Sequence, residues 1–241
     1  MEFSTANKTF HTHFPEKKRN RFRSDEKFRN FEKYHRQCHN KNGGMKGKGD
    51  ENMFEIAIIG GGPAGGSAAL FTSKAGKRTL VIDNGKSVTK RAWIENHYGV
   101  AEITGPDLVE IGRKQSEKFG AEWVEAEVTD VKKTDDGFEI VTEKGRYEAK
   151  QLIIATGMLT KIAETLGLKV KAGTEPRVKQ IIETDGQGRT SMEGVWAAGV
   201  AAGTSVHTII TAGDGANVAI NVLSEMNGER YVDHDVLKSS K

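Results

Sequence analysis

The apolar run Phe54-Glu55-Ile56-Ala57-Ile58-Ile59 passes directly into Gly60-Gly61-Gly62-Pro63-Ala64-Gly65, and this junction constrains the fold more than any other stretch. A short β-branched run, a glycine cluster and then Ser67-Ala68-Ala69-Leu70-Phe71 predict strand, tight turn and helix in immediate succession. Gly60 permits the turn, Gly62 lets the backbone approach a pyrophosphate, and Gly65 lets the helix pack close against the strand. The first helical turn then offers unpaired N–H groups and the positive end of the helix dipole to an anion. Thr79-Leu80-Val81-Ile82-Asp83 supplies a second strand, ending in a carboxylate 18 residues after Gly65 that can accept from ribose hydroxyls. The pattern predicts an α/β fold of the Rossmann-like class, with a central parallel sheet and a dinucleotide at the turn.

Charge is unevenly spread. Residues 1–52 hold 13 Lys and Arg against 7 Asp and Glu, whereas the other 189 residues hold 23 against 26. The basic balance therefore belongs to a leader, and the body offers no compositional case for nucleic acid. The leader interleaves Phe with Lys, Arg and Asn, shows no sustained period, and is expected to be disordered. His11, His13, His35 and His39 lie in it at spacings that fit no standard metal site. The segment 48–53, Lys-Gly-Asp-Glu-Asn-Met, can be encoded by purine-rich codons resembling a bacterial ribosome-binding site before a start codon. Two readings stay open: the leader belongs to the natural product, or that product starts at Met53. The single cysteine, Cys38, excludes an internal disulfide and any C-x-x-C pair, and it fits a reducing compartment. No apolar run approaches the roughly 20 residues a bilayer span requires, so no membrane partner and a cytoplasmic location are expected.

From residue 53 to about 232 the expectation is one domain, followed by a tail over 233–241. After the β-α-β unit a connection runs through 93–99, and a helix is predicted over 106–119. Alternating strands follow at 122–131, 138–142 and 146–149, a three-stranded antiparallel meander. It leads into a buried strand and glycine turn, Leu152-Ile153-Ile154-Ala155-Thr156-Gly157. Beyond lie strands at 178–184 and 194–199 and a last helix over about 213–226.

The order of these landmarks resembles the FAD domain of the thioredoxin-reductase-like flavoproteins. The resemblance covers about 54–232 and is carried by Ile-Ile-Gly-Gly-Gly-Pro-Ala-Gly (58–65), Ile-Glu-Asn-His-Tyr-Gly (94–99) and Thr-Gly-Pro-Asp-Leu (104–108). It continues through Ile-Ile-Ala-Thr-Gly (153–157), Gly-Val-Trp-Ala-Ala-Gly (194–199) and Ile-Thr-Ala-Gly-Asp-Gly (210–215). It implies that Gly60, Gly62, Pro63, Ala64 and Gly65 hold the FAD pyrophosphate and Asp83 the adenosine ribose. It further implies Asn96 near the flavin ring, Val128 on the strand touching adenine, and Thr156, Gly157 and Gly199 closing over the cofactor. His207 and Thr208 fall where the family directs a polar side chain and an N–H towards flavin N1 and the C2 carbonyl, raising the flavin potential. A capping or buried structural role for His207 remains the alternative, as a plain turn role does for Asn96.

Three departures from the family shape the functional expectation. Only 41 residues separate Gly157 from Gly199, too few for the second, NADPH-binding βαβ domain that thioredoxin reductases insert there. There is no redox C-x-x-C, which excludes reduction of a disulfide by cysteine exchange, so the chain is expected not to be a disulfide reductase. The family aspartate after Ala-Ala-Gly, which binds the ribityl chain, is Val200, so Asp214 or water would have to take its place. The expectation is a minimal FAD-dependent oxidoreductase, with electrons from NAD(P)H as a transient donor or from a small-molecule or protein partner. No catalytic residue and no metal ligand is singled out. A flavin-binding module or subunit without turnover is the alternative, and selection of NAD by Asp83 is a third. The resemblance also implies a homodimer.

Overall fold

The computed structural model describes residues 53–233 and 235. The expected disordered leader, with Cys38 and four histidines, and most of the 233–241 tail lie outside the described residues.

Strand β1 (Phe54–Ile59) lies at the centre of a seven-stranded sheet, parallel to β2 (Thr79–Asp83) on one side and to β8 (Gly145–Ile154) on the other. Beyond β2 comes β5 (Glu122–Glu125), also parallel. Beyond β8 come β7 (Phe138–Thr142) and β6 (Val128–Lys133), both antiparallel, while β11 (Val195–Ala197) runs parallel along the second half of β8. A central parallel strand is covered on both faces, which is why β1 reads as a nearly unbroken apolar run. Ile56 and Ile58 face a cluster with Ala68 and Ala69 of α1 (Pro63–Lys74) and Val218 and Val222 of α4 (Thr208–Asn227). Ala57 and Ile59 face the opposite cluster, with Phe138, Ile140 and Ile162.

The expected parallel sheet and antiparallel meander are both present, with different strand boundaries. The stretch 122–131 is not one strand. It breaks at Ala126-Glu127, where the Ala126 N–H donates to the Asp83 carbonyl (3.0 Å) and the Glu127 N–H to the Glu143 carboxylate (2.8 and 3.0 Å). The first bond closes the β2–β5 ladder just after the Asp83–Glu125 pair, the second commits the Glu127 amide to a side chain, and β5 and β6 join different neighbours. Conversely, 146–149 and 152–157 are not two strands: β8 runs through both. Its first half pairs with β7 and its second with β1 and β11, and Ala149 stands opposite both Phe138 and Phe54. Polar Gln151 is retained in this strand because its side chain accepts from the buried Trp196 indole N–H at 3.0 Å.

The connection through 93–99 contains a 3₁₀ turn (Val88–Arg91) and a two-stranded hairpin, β3 (Trp93–Ile94) with β4 (Ile103–Thr104). It enters α2 (Gly105–Glu117), whose N-cap Thr104 accepts from the Asp107 N–H. Between Gly157 and Gly199 lie the short α3 (Lys161–Thr165), a hairpin of β9 (Val170–Ala172) with β10 (Gln180–Ile182), and β11. The strand expected over 178–184 is thus three residues long. The last helix starts at Thr208, five residues before the expected start, because Gly213 and Gly215 lie inside it rather than in a turn.

Candidate functional site

The turn after β1 is built by backbone geometry that side chains would obstruct. Gly60 has φ +105°, donates its N–H to the Ile82 carbonyl (2.8 Å), and holds a position whose Cβ would lie 2.3 Å from the Ala155 carbonyl oxygen. A Cβ at Gly65 would lie 1.8 Å from the Gly60 carbonyl oxygen, so α1 starts in contact with the turn itself. Gly62 is the N-cap of α1; no side chain caps it and no acidic residue occupies the first turn. The first bond into the helix is Gly66 N–H to the Gly62 carbonyl (2.8 Å), which leaves the N–H groups of Gly62, Ala64 and Gly65 without a protein acceptor. Pro63 has no N–H to satisfy. Three converging donors at a positive helix end suit an anionic group.

Asp83 ends β2 beside this turn. Its Oδ1 accepts from the Gly61 N–H at 3.0 Å, leaving Oδ2 open to a ligand hydroxyl. A neighbouring network joins Asn84 and Lys86 to Glu127, and the Lys86 ammonium, then the Asn84 amide, hold the Glu127 carboxyl below its ordinary range. Val128 is half-buried next to Glu127, paired with Thr142 at a bulge in β6. The sequence assigned Ser87 no role. Its hydroxyl sits 3.1 Å from where a Gly62 Cβ would project, facing the turn, and no local motif signals this.

On the other flank, β8 ends against β1 through Ala155 N–H to the Ile59 carbonyl (2.8 Å), which brings Thr156 next to Gly60. Gly157 follows with φ +65°. Gly199 has φ +72°, and a Cβ there would lie 2.7 Å from the Ala64 Cβ. Its N–H donates to Asp214 Oδ2 at 2.6 Å. Burial pushes the Asp214 carboxyl up, and the Gly199 N–H partly opposes this.

His207 is the N-cap residue of α4 but makes no capping bond; its Nδ1 pairs with Ser205 Oγ at 2.8 Å, and the ring is exposed. Thr208 Oγ1 pairs with His97 Nδ1 at 3.1 Å. That contact ties the 95–99 loop to the helix start, and it involves His97, whereas Asn96 is exposed on the same loop. The first turn of α4, like that of α1, carries no acidic residue. The structure thus gathers Gly60, Gly62, Pro63, Ala64, Gly65, Asp83, Thr156 and Gly199 around one turn. Among the described residues there is no group of metal-ligating side chains, and no helix is long and apolar enough to cross a membrane.

The raised pKa of Asp214 has a definite sign for stability. The folded chain holds the proton to higher pH than the unfolded chain, so stability falls as pH rises from the ordinary carboxylate range near 4 through the folded value. Asp214→Asn keeps an acceptor for Gly199 and does not ionise. Urea midpoints of the variant should fall less than those of the parent as pH is raised from about 4 to neutrality; parallel curves would refute this.

The family described as pyridine nucleotide-disulphide oxidoreductase matches residues 54–166 and 101–216. The thioredoxin reductase of Peptoclostridium litorale is 40% identical over 127 residues, which is 51% of this chain and 40% of that protein. The thioredoxin reductase of Listeria monocytogenes is 40% identical over 114 residues, 45% of this chain and 35% of that protein. The chain therefore spans about two fifths or less of the length of these relatives. An atypical thioredoxin reductase from Desulfovibrio vulgaris Hildenborough has a similar fold, with TM-score 0.65 at 21% identity, over 73% of this chain and 99% of that one. A thioredoxin reductase from Gloeobacter violaceus gives TM-score 0.63 at 20% identity, over 78% and 100%.

Proposed function

The chain belongs to the pyridine nucleotide-disulphide oxidoreductase family, and from that premise we propose that it is an FAD-dependent oxidoreductase whose flavin is reduced by a donor from outside this chain. The observation that carries the reading is the uncapped turn at residues 60–65, with three N–H groups lacking protein acceptors and a carboxylate on its flank. Glycines 60 and 65 leave no room for a side chain in this cradle. The Thr204 hydroxyl, on the turn after Gly199, is buried without a hydrogen-bond partner. These features fit a dinucleotide.

In this reading Gly62, Ala64 and Gly65 hold the pyrophosphate through their N–H groups, and Asp83 accepts from the adenosine ribose. Val128 and its strand border the adenine side. Thr156, Gly157 and Gly199 line the opposite side, and the free N–H groups and positive end of α4 at Thr208 favour negative charge on the ring they face. FAD in this place supplies reversible hydride and electron transfer. Between Gly157 and Gly199 the chain folds into α3, a hairpin and β11, not a second glycine-turn unit, so NAD(P)H would reach the flavin directly or through a partner. With one cysteine in the chain, disulfide exchange between paired thiols is not its chemistry.

The test is the absorption spectrum of the purified full chain before and after denaturation, followed by anaerobic NADH and NADPH. We expect a yellow protein that releases fluorescent flavin and is bleached by one of the two nicotinamides. Colourless protein, or released NAD, sinks the cofactor assignment. Flavin that stays oxidised with both, in a protein that copurifies with a second chain, favours instead a flavin-binding subunit. Exposed Trp93, Tyr98, Ile209 and Ile210 give the chain apolar surface that a second copy would cover. Light scattering that returns a monomer would count against a homodimer.

A further inference from the structure

We propose that the β9–β10 hairpin is the docking surface of an acidic one-electron carrier protein, which draws electrons from the flavin in the neighbouring site. The proposal rests on the FAD reading above and names the acceptor that the reading leaves open. The hairpin lies between Gly157 and Gly199, and two contacts set it beside the cofactor cradle. Ile181 of β10 meets the turn after Gly199: a Cβ on Gly203 would lie 2.6 Å from its Cδ1. At the hairpin tip, Glu175 Oε2 accepts from the Val206 N–H at 3.4 Å, just before the start of α4.

This segment is charged against the trend of the domain. Residues 161–179 hold five Lys and Arg against two Glu, whereas the rest of 53–241 holds 18 against 24. Register puts three of the cations in line. Lys171 pairs with Ile181, and the ladder continues through the Gly173 N–H to the Lys179 carbonyl (3.1 Å) and the Glu183 N–H to the Lys169 carbonyl (2.9 Å). Lys169, Lys171 and Lys179 therefore share the face that carries Ile181, at intervals of about 7 Å. All three are exposed, and among the described residues none of them forms an ion pair, not even Lys169 with Glu183 opposite it. Arg177 adds a fourth exposed cation at the tip, in a turn closed by the Val178 N–H to the Glu175 carbonyl (3.1 Å) and started by Pro176. Its φ of +68° is one at which glycine would be unstrained, so the chain carries a cation there against the backbone preference.

A line of unpaired cations about 14 Å long suits a surface of spaced carboxylates, whereas a single phosphate calls for donors converging on one point. Residues 1–52, with 13 Lys and Arg against 7 Asp and Glu, have the wrong sign to cover it. Its place beside the flavin end selects an electron carrier among acidic proteins. The electrons balance: one NAD(P)H gives up a hydride, two carriers each gain one electron, and one proton goes to solvent.

The experiment measures binding of an acidic flavodoxin, an acidic plant-type ferredoxin and basic cytochrome c to the full chain, with and without FAD. At least one acidic carrier should bind, and the triple variant Lys169→Gln, Lys171→Gln, Lys179→Gln should bind it about tenfold more weakly at about 20 mM salt, the gap closing at about 200 mM. FAD affinity and the rate of flavin bleaching by NADH or NADPH should stay within about twofold of the parent. Arg177→Gly relieves the backbone as it removes the charge, so it should unfold at no lower urea than the parent yet bind the carrier about threefold more weakly. A control triple of exposed cations elsewhere, Lys114→Gln, Lys132→Gln, Lys133→Gln, should leave carrier binding unchanged. Equal binding by parent and hairpin variant, an equal loss in the control, tighter binding of cytochrome c or duplex DNA than of either acidic carrier, or a loss confined to NADPH would each overturn the assignment. A parent chain that takes up no FAD would instead overturn the reading on which it rests, while carrier binding to the flavin-free chain still reports on the hairpin.

Discussion

Replacing Gly60 by Ala is expected to destabilise the folded chain by about 3 kcal/mol or more and to abolish FAD uptake. Two independent obstacles combine. The backbone at Gly60 has φ +105°, which L side chains rarely adopt, and the added Cβ would lie 2.3 Å from the Ala155 carbonyl oxygen and 2.9 Å from its carbon. Neither atom can yield cheaply, because the Ala155 N–H is bonded to the Ile59 carbonyl at 2.8 Å and so belongs to the β1–β8 pairing. Strain at such a position costs about 1–3 kcal/mol, and overpacking a filled space costs about 1–3 kcal/mol more. Urea unfolding and flavin content measure the two effects. Gly66→Ala is the control: it lies in α1, meets nothing within 4 Å, and should stabilise by up to about 1 kcal/mol through helix propensity. Equal behaviour of the two variants would refute the steric account of the turn.

Gly215→Ala should be nearly as damaging, for a reason that lies wholly between helices. The new Cβ would lie 2.0 Å from the Ala64 carbonyl oxygen and 2.7 Å from the Ala64 Cα and carbonyl carbon, all backbone of α1. Relief requires α4 to move off α1, which opens the apolar cluster of Ala68, Val218 and Val222 and costs about 2–3 kcal/mol. The same displacement disturbs Ala64 at the start of α1, whose N–H belongs to the anion-binding turn, so FAD affinity should fall by more than about tenfold together with stability. Gly213→Ala, two residues earlier and with nothing within 4 Å, should keep both. Thermal unfolding with flavin titration separates these outcomes, and a well-behaved Gly215→Ala protein would show that the α1–α4 contact is looser than described.

Much of the architecture was legible because its signals are short in range. The β1 run, its glycine turn and α1 follow one another within 21 residues, and each step is dictated by side-chain volume, β-branching or freedom of φ. The place of Asp83 at the end of the second strand predicts a carboxylate beside the turn, and it accepts from the Gly61 N–H. The strand boundaries were less legible. The ladder takes in Gln151 because Trp196 supplies a partner for its side chain, and alternation alone placed a break before it. Alternation likewise carries 122–131 through Ala126-Glu127, where the β2–β5 ladder ends at the Ala126 N–H and the Glu143 carboxylate takes the Glu127 N–H.

The amino-acid sequence by itself determined the β-α-β unit, the position of the anion-binding turn and the parallel character of the core strands, since all three follow from sterics and burial within a few residues. Tertiary structure alone decided that β8 serves three partners and that α4 begins at Thr208. It also decided that His97 meets Thr208 across 111 positions and that Asp214 reaches back 15 residues to the Gly199 N–H. These depend on how closely α4 can approach α1 at Ala64, which is a sum over packing between segments far apart in the chain. A glycine in a turn and a glycine under a crossing helix look the same in sequence, and only the neighbouring backbone tells them apart.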